Sequence, residues 1–189
     1  DMGVNSYFRN GRTYEAALCY QLYGQYFAVQ SQYTDAVPWF EKALATDKMP
    51  RIGMQEVRFQ LAQTYFMIGK YKNVISLLEE FIRVGERYKY PVSARINLLM
   101  SYSHGRMDEY ESAYFHITQA NNKSDKPQID WIEYAFSLAM KLENLDDAED
   151  LGTRLLFLEP NKKKYWNQVS ALYFAKDFEL DSLSALELA

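Results

Sequence analysis

The stretch YQLYGQYFAVQSQYTDAVPWFEKALATD, residues 20 to 47, has the pattern of two helices joined by a short turn. Small residues stand at Gly24 and Ala36, twelve positions apart, and aromatic residues stand nearby at Phe27 and Phe40. A small side chain on each of two antiparallel helices lets them approach closely, while aromatic rings fill the flanking gaps. The stretch therefore predicts a packed helical hairpin.

The same pattern recurs along the chain. The positions equivalent to Gly24 are taken as Ala62, Leu99, Phe136 and Ser170, which gives periods of 38, 37, 37 and 34 residues. In the third repeat, the second helix fits this spacing only if the turn GRMDE holds two extra residues. The sequence thus predicts a lead-in segment at 1–12 and one domain at 13–189, with hairpins over about 13–50, 51–90, 91–126, 127–161 and 162–189.

Local signals add detail to this prediction. Thr34 is the expected N-cap of the second helix of the first hairpin, which places Pro38 in the first turn, where its missing N–H is tolerated. In the fifth hairpin, the packing positions of the second helix are expected at Ser182, Leu186 and Ala189. Four prolines fall between hairpins, where helices must end; they are Pro50, Pro91, Pro127 and Pro160.

Composition narrows the classes of partner. The 189 residues carry a formal net charge of −4 and are 48% hydrophobic. An acidic chain has no general attraction to nucleic acid or anionic membranes, and no apolar run approaches the roughly 20 residues that span a bilayer. We therefore expect neither nucleic-acid binding nor direct membrane insertion. No period-two run of β-branched residues appears, which favours an all-α fold.

Residues that could carry chemistry are few. Cys19, His104 and His116 do not stand at the spacing of metal ligands or of a nucleophile and its base. The acidic residues Glu143, Asp146, Asp147, Glu149 and Asp150 lack the pattern of a calcium loop and are expected to cap and solvate a helix start. The basic run Lys162, Lys163 and Lys164 is expected to solvate a turn. We predict no catalytic residues, no cofactor and no metal.

The arrangement resembles the tetratricopeptide repeat (TPR) family over residues 13–189. The signature of that family has a bulky residue, a Leu-Gly pair, an aromatic, and then Ala, an aromatic and Ala. Its places are filled here by Tyr20, Tyr23-Gly24, Phe27, Ala36, Phe40 and Ala43. The resemblance implies a right-handed superhelical solenoid of about five helix-turn-helix repeats that acts as a protein-interaction scaffold.

Three segments carry a narrower resemblance, to the periplasmic TPR proteins encoded with TonB-ExbB-ExbD systems in Gram-negative bacteria. They are YGQYFAVQSQYTDAVPWFEKALATDKMP at 23–50, RFQLAQTYFMIGKYKNVISLLEEF at 58–81, and KKKYWNQVSALYFAKDFELDSLSALELA at 162–189. This similarity implies a periplasmic accessory protein with TonB, ExbB or ExbD components as partners. A cytoplasmic location is the alternative.

In such a fold the first helices of the hairpins line a concave groove. Repeat alignment places twelve residues there: Gln21, Gln25, Phe59, Gln63, Phe66, Ile96, Met100, Glu133, Ser137, Met140, Asn167 and Phe174. Their mixture of apolar and amide groups favours an extended or helical peptide with apolar anchors as the ligand. The competing hypothesis is a structural protein that forms homo-oligomers through its end repeats.

Overall fold

A computed structural model of the chain describes residues 13–89, 91–126, 128–176 and 184–187. These residues form helices and no strands. The helices are α1 (Tyr14–Val29), α2 (Tyr33–Ala45), α3 (Arg51–Met67), α4 (Tyr71–Tyr88), α5 (Ala94–Gly105), α6 (Tyr110–Asn122), α7 (Ile129–Lys141), α8 (Leu145–Leu158) and α9 (Lys163–Ala175), and residues 184–187 are also helical. None of the described helices is both long enough and apolar enough to cross a lipid bilayer.

The chain divides into two compact units, Asp1–Val92 and Ser93–Ala189. In the first unit α1 packs on α2, α2 on α3, and α3 on α4. In the second unit the helices from α5 to α9 likewise pack each on the next. The division falls between the second and third predicted hairpins, whereas a single domain over 13–189 was predicted from the sequence; that single domain stays a prediction.

Four of the hairpins share one turn geometry. Each contains one residue with positive φ, and these are Ser31, Gly69, Asp108 and Glu143. Each of these residues stands two positions before the start of the second helix. The residue that follows it donates its backbone N–H to a carbonyl in the last turn of the first helix, as Gln32 does to Phe27. The corresponding donors in the other turns are Lys70, Glu109 and Asn144. This left-handed helix ending satisfies carbonyl groups that would otherwise lack a partner.

The register predicted for the third hairpin is wrong. Counting seven residues back from each positive-φ residue gives Gly24, Ala62, Ser101 and Phe136, so Ser101, not Leu99, is equivalent to Gly24. Ser101 is fully buried, and its hydroxyl donates a hydrogen bond to the Ala113 carbonyl at 2.6 Å. The distance from Ser101 to Ala113 is the usual twelve residues, and the turn holds no insertion.

Close approach at Gly24 is confirmed, but its partner is the ring of Phe40. A Cβ atom on Gly24 would lie 2.7 Å from two carbons of that ring. In the fourth hairpin the order is reversed, because Phe136 on the first helix packs on Gly152 of the second, where a Cβ would lie 3.1 Å from the Phe136 ring. Both pairs are sixteen residues apart, so each hairpin keeps one large and one small residue at this contact.

Two local predictions need correction. The second helix of the first hairpin begins at Tyr33 with Gln32 as its cap, so Thr34 is already helical and Pro38 lies in the second turn. At the fifth hairpin, Leu186 is half exposed while Ala185 is buried, so the inward position is one residue earlier than predicted. Ser182 and Ala189 lie outside the described residues.

Candidate protein-interaction surfaces

The predicted groove residues of the first unit lie on α1 and α3. Gln21 is buried, and its Nε2 donates to Gln60 Oε1 at 3.2 Å. Phe59 and Phe66 are half-buried, and the Phe66 ring meets the Tyr71 ring edge-on at 5.5 Å. Gln25 is half-buried and Gln63 is exposed. This face therefore presents two half-buried aromatic rings and the amides of Gln25 and Gln63, whereas Gln21, predicted to line the groove, is buried.

In the second unit some of the predicted groove residues are buried and others are exposed. Ile96 and Met100 on α5 are each only 3% exposed, so they belong to the core and cannot anchor a ligand from solvent. The physical reason is the two-residue register error, since the positions equivalent to Gln21 and Gln25 are Leu98 and Tyr102. The twelve-residue spacing from Ser101 to Ala113 would have identified both from the sequence.

Leu98 and Tyr102 are the surface residues that sequence reasoning missed. Both are half-buried, and the Tyr102 ring packs against Tyr134 of α7 with ring centroids 5.1 Å apart. Burial, and then the charge of Asp130, raises the pKa of the Tyr102 phenol, which keeps it protonated as a hydrogen-bond donor. Gly105 lies beside the Tyr134 hydroxyl, where a Cβ atom would collide with it.

The remaining predicted residues lie on α7 and α9. Ser137 and Asn167 are exposed, Met140 is half-buried, and Phe174 is 68% exposed. Glu133 is engaged within the protein: its carboxylate accepts hydrogen bonds from the Tyr165 hydroxyl at 2.6 Å and from Lys164 Nζ at 3.0 Å. These two donors, with the Tyr165 hydroxyl as the larger, lower the pKa of Glu133.

The charged clusters prove to be structural. Lys162 pairs with Glu159 at 2.9 Å, and Lys164 pairs with Glu133, so two of the three lysines in the basic run are bound to carboxylates. On α8, Asp146 and Glu149 both contact Lys176 Nζ, at 2.9 and 2.6 Å. The acidic cluster therefore does more than solvate a helix start, because it joins α8 to the residue that caps α9.

The two histidines, twelve residues apart in the sequence, lie against each other in the structure. The rings of His104 and His116 stack with centroids 5.4 Å apart, and His104 Nδ1 lies 2.6 Å from Glu109 Oε2. Burial, followed by the charges of His104 and Lys123, lowers the pKa of His116 to about 4. His116 is therefore neutral at physiological pH, and its Nδ1 lies 3.3 Å from the side-chain oxygen of Asn97.

Neither histidine forms part of a metal-binding group. Across 13–89, 91–126, 128–176 and 184–187, no three His, Cys, Asp or Glu side chains converge as metal ligands. Cys19 is a half-buried free thiol on α1.

Among the described residues of the first unit, helix α1 carries the densest exposed apolar surface. We call it the α1 stripe, and it consists of Leu22, Tyr26 and Val29, exposed by 63%, 61% and 86%. Positions spaced by four and three residues share one helix face. The residues equivalent to Tyr26 in α3, α7 and α9 are Thr64, Leu138 and Leu172, which are all buried. Each of these three helices packs on the helix that precedes it in the chain.

Comparison with known proteins defines the fold. No protein-family model matches the sequence, and no curated protein matches it. Among solved structures the chain is similar to MamA, with a TM-score of 0.75 and 16% identity over 92% of this chain and 90% of that chain. It is also similar to YrrB, described as a TPR protein with an unusual peptide-binding site, with a TM-score of 0.74 and 13% identity over 91% and 84%.

A second MamA structure gives a TM-score of 0.69 at 15% identity, covering 87% of this chain and 91% of that chain. Identities this low establish the fold alone. The predicted all-α fold of the TPR solenoid class is thereby confirmed, and the chain has a TPR-like helical repeat fold.

Proposed function

We propose that the protein is a non-catalytic scaffold that binds a peptide segment of a partner protein on the face that the first helices of the hairpins present within each unit. The observation that carries this proposal is the exposure of Phe174, which lies seven residues, or two helical turns, from exposed Asn167. Apolar anchors and hydrogen-bonding groups that recur along one helix face suit the binding of a peptide. The half-buried rings of Phe59 and Phe66 give the first unit a similar composition.

We further propose that the protein is periplasmic and that its partner is a component of a TonB-ExbB-ExbD system. The support is the sequence resemblance of the segments at 23–50, 58–81 and 162–189. Pull-down from a periplasmic extract with the tagged chain, followed by titration of the captured component, tests this assignment. Recovery of TonB, ExbB or ExbD is expected, and recovery of cytoplasmic partners alone would favour the cytoplasmic alternative.

The peptide-binding face is tested by titrating that partner against the double variant Phe66→Ala, Phe174→Ala. Buried aromatic anchors commonly contribute about 2 kcal/mol each, so affinity should fall at least about a hundredfold. The matched control is Phe157→Ala. It removes a ring that is 85% exposed on α8, which is the second helix of its hairpin and lies outside the proposed face. Unchanged affinity of a folded double variant, with an effect of the control, would move the interface to the second helices.

A second function is favoured by the α1 stripe. In this alternative the protein self-associates through its first predicted hairpin, because the stripe exposes three large uncharged side chains, whereas the residues equivalent to Tyr26 in α3, α7 and α9 are buried. Sedimentation should then show concentration-dependent oligomers of the wild type that Tyr26→Glu dissociates and Phe157→Ser leaves intact. A wild type that stays monomeric at about 100 μM would remove this alternative.

A further inference from the structure

An open cleft of about 330 Å³ lies in the first unit between α2, α3 and α4. Its lining combines apolar and polar groups: Glu41, Leu44, Leu61, Tyr65, Asn73, Ser76 and Leu77. Leu61 and Gln63 are two residues apart, which turns them about 200° from each other on a helix. The cleft therefore lies on the opposite side of α3 from the face that carries Phe59, Gln63 and Phe66.

The second unit contains an internal comparison for this cleft. Aligning the positive-φ residue of each turn makes Val37 equivalent to Tyr114, Asn73 to Asp147, and Leu77 to Leu151. In the second unit the Tyr114 hydroxyl donates to Asp147 Oδ2 at 2.8 Å. Tyr114 and Leu151 also pack against the same core cluster of α6 and α7. A tyrosine side chain thus joins α6 to α8 across α7.

The first unit lacks that tyrosine on its own second helix. Val37 is too short to reach Asn73, and the aromatic ring comes instead from Tyr65 of α3, whose counterpart in the second unit is Ala139. The Tyr65 hydroxyl is directed to Glu41 of α2. Among the described residues the Asn73 side chain makes no hydrogen bond, so the part of the cleft beside Asn73 and Leu77 has polar and apolar groups free for a ligand.

We propose that this cleft is a binding site for a tyrosine side chain of a partner protein. The ring lies on Leu44 and Leu77, and the hydroxyl donates to Asn73 Oδ1, as Tyr114 donates to Asp147 in the second unit. The cleft, with a volume of about 330 Å³, has room for one aromatic side chain. The site is separate from the proposed peptide-binding face, and its test needs no partner protein.

The probe is p-cresol, the side chain of tyrosine, titrated into the isotopically labelled full chain and followed by NMR. Saturable shifts confined to amides of the cleft, with millimolar affinity, are expected. Toluene lacks the hydroxyl and should bind about fivefold more weakly, as the loss of one hydrogen bond predicts. The isosteric Asn73→Leu variant should abolish this preference for p-cresol over toluene.

Two variants that fill the cleft test its location. Val37→Tyr copies the second unit, and Ser76→Phe places a ring in the cleft from an exposed position, so each should weaken p-cresol binding more than tenfold. The matched control is Lys72→Phe on exposed α4 surface outside the lining, which should bind as the wild type does. Circular dichroism verifies the fold of each variant, and Ser76→Phe supplies the result if Val37→Tyr does not fold.

Three results would overturn the proposal. The first is the absence of saturable shifts up to the solubility limit of p-cresol, and the second is unchanged binding in a folded Ser76→Phe variant. The third is tighter binding of butylamine than of p-cresol, which would assign the cleft to a cationic side chain attracted by Glu41. The partner titration with Phe66→Ala and Phe174→Ala is unaffected by any of these results, so the two proposals fail separately.

Discussion

Gly24 packs so closely on the Phe40 ring that the first hairpin has no room for a side chain at this position. Gly24→Ala should destabilise the protein by about 1–3 kcal/mol, because a Cβ 2.7 Å from a fully buried ring forces both helices to shift. Urea unfolding measures the change.

Gly53→Ala is the matched control for Gly24→Ala. A Cβ at Gly53 meets only the Met49 side chain, with its flexible terminal methyl at 3.3 Å and its Cβ at 3.8 Å. Alanine within a helix is favoured over glycine by about 0.5–1 kcal/mol, so this variant should gain stability. Equal effects of the two substitutions would contradict the proposed hairpin contact.

His116 gives the second unit a dependence of stability on pH. Its pKa in the folded chain is about 4, below the value near 6.5 of an unfolded histidine. Between these values the unfolded state binds more protons, so the free energy of unfolding falls as the pH drops from about 6.5 to 4. His116→Gln should lose less stability than the wild type between pH 7.5 and 5.

Urea midpoints at the two pH values, compared between His116→Gln and the wild type, measure the effect. The range above pH 5 separates the histidine from most carboxylates. Parallel losses in the two proteins would show that protonation of His116 does not destabilise the fold.

At the scale of the element, the hairpin turns contain backbone strain that the residue types at the turns do not predict. Ser31, Asp108 and Glu143 adopt positive φ although each carries a Cβ. Glycine, as at Gly69, is the type that this geometry favours most, and aspartate tolerates it better than serine or glutamate does. The closing backbone bonds of the turn hold all four in the same conformation. Turn geometry here follows from hairpin packing and not from local residue preference.

Ser31→Gly should therefore stabilise the protein by about 0.5–1 kcal/mol. Removal of a left-handed Cβ relieves about 1–2 kcal/mol, and the greater freedom of glycine in the unfolded chain offsets part of that gain. Gly69→Ala, at the equivalent turn with φ of 74°, should destabilise by a similar amount. Thermal unfolding of both variants checks the pair, and destabilisation by Ser31→Gly would contradict the strain argument.

At the scale of the whole molecule, stability should be independent of metal. No metal-ligand group occurs within the described ranges, and the histidine pair is occupied with Glu109 and Asn97. The melting temperature in a chelator should equal that without it. A loss of more than about 1 kcal/mol on chelation, or a stoichiometric metal in the purified protein, would overturn this prediction.

The sequence by itself determined the hairpins and much of the first-helix face. Small and large residues at fixed spacing, such as Gly24 and Phe40, indicate how two helices pack. This signal can be read from the sequence because each hairpin is built from residues close in the chain. The same alignment found Gln63, Ser137 and Phe174 exposed on first helices. It placed Ile96 and Met100 incorrectly because Leu99 was aligned with Gly24, which required two extra residues in a turn that holds no insertion.

Only the tertiary structure decided which side chains meet across hairpins. The contacts of Tyr114 with Asp147 and of Lys176 with Asp146 join residues about thirty apart, and no periodic pattern records them. The cleft beside Asn73 arises because Val37 stands where the second unit has Tyr114. The two residues are recognised as equivalent only when the positive-φ residues of their hairpin turns, Ser31 and Asp108, are aligned. Repeat spacing fixes helices and their order, whereas exposure and partners depend on the volume of side chains supplied by neighbouring helices.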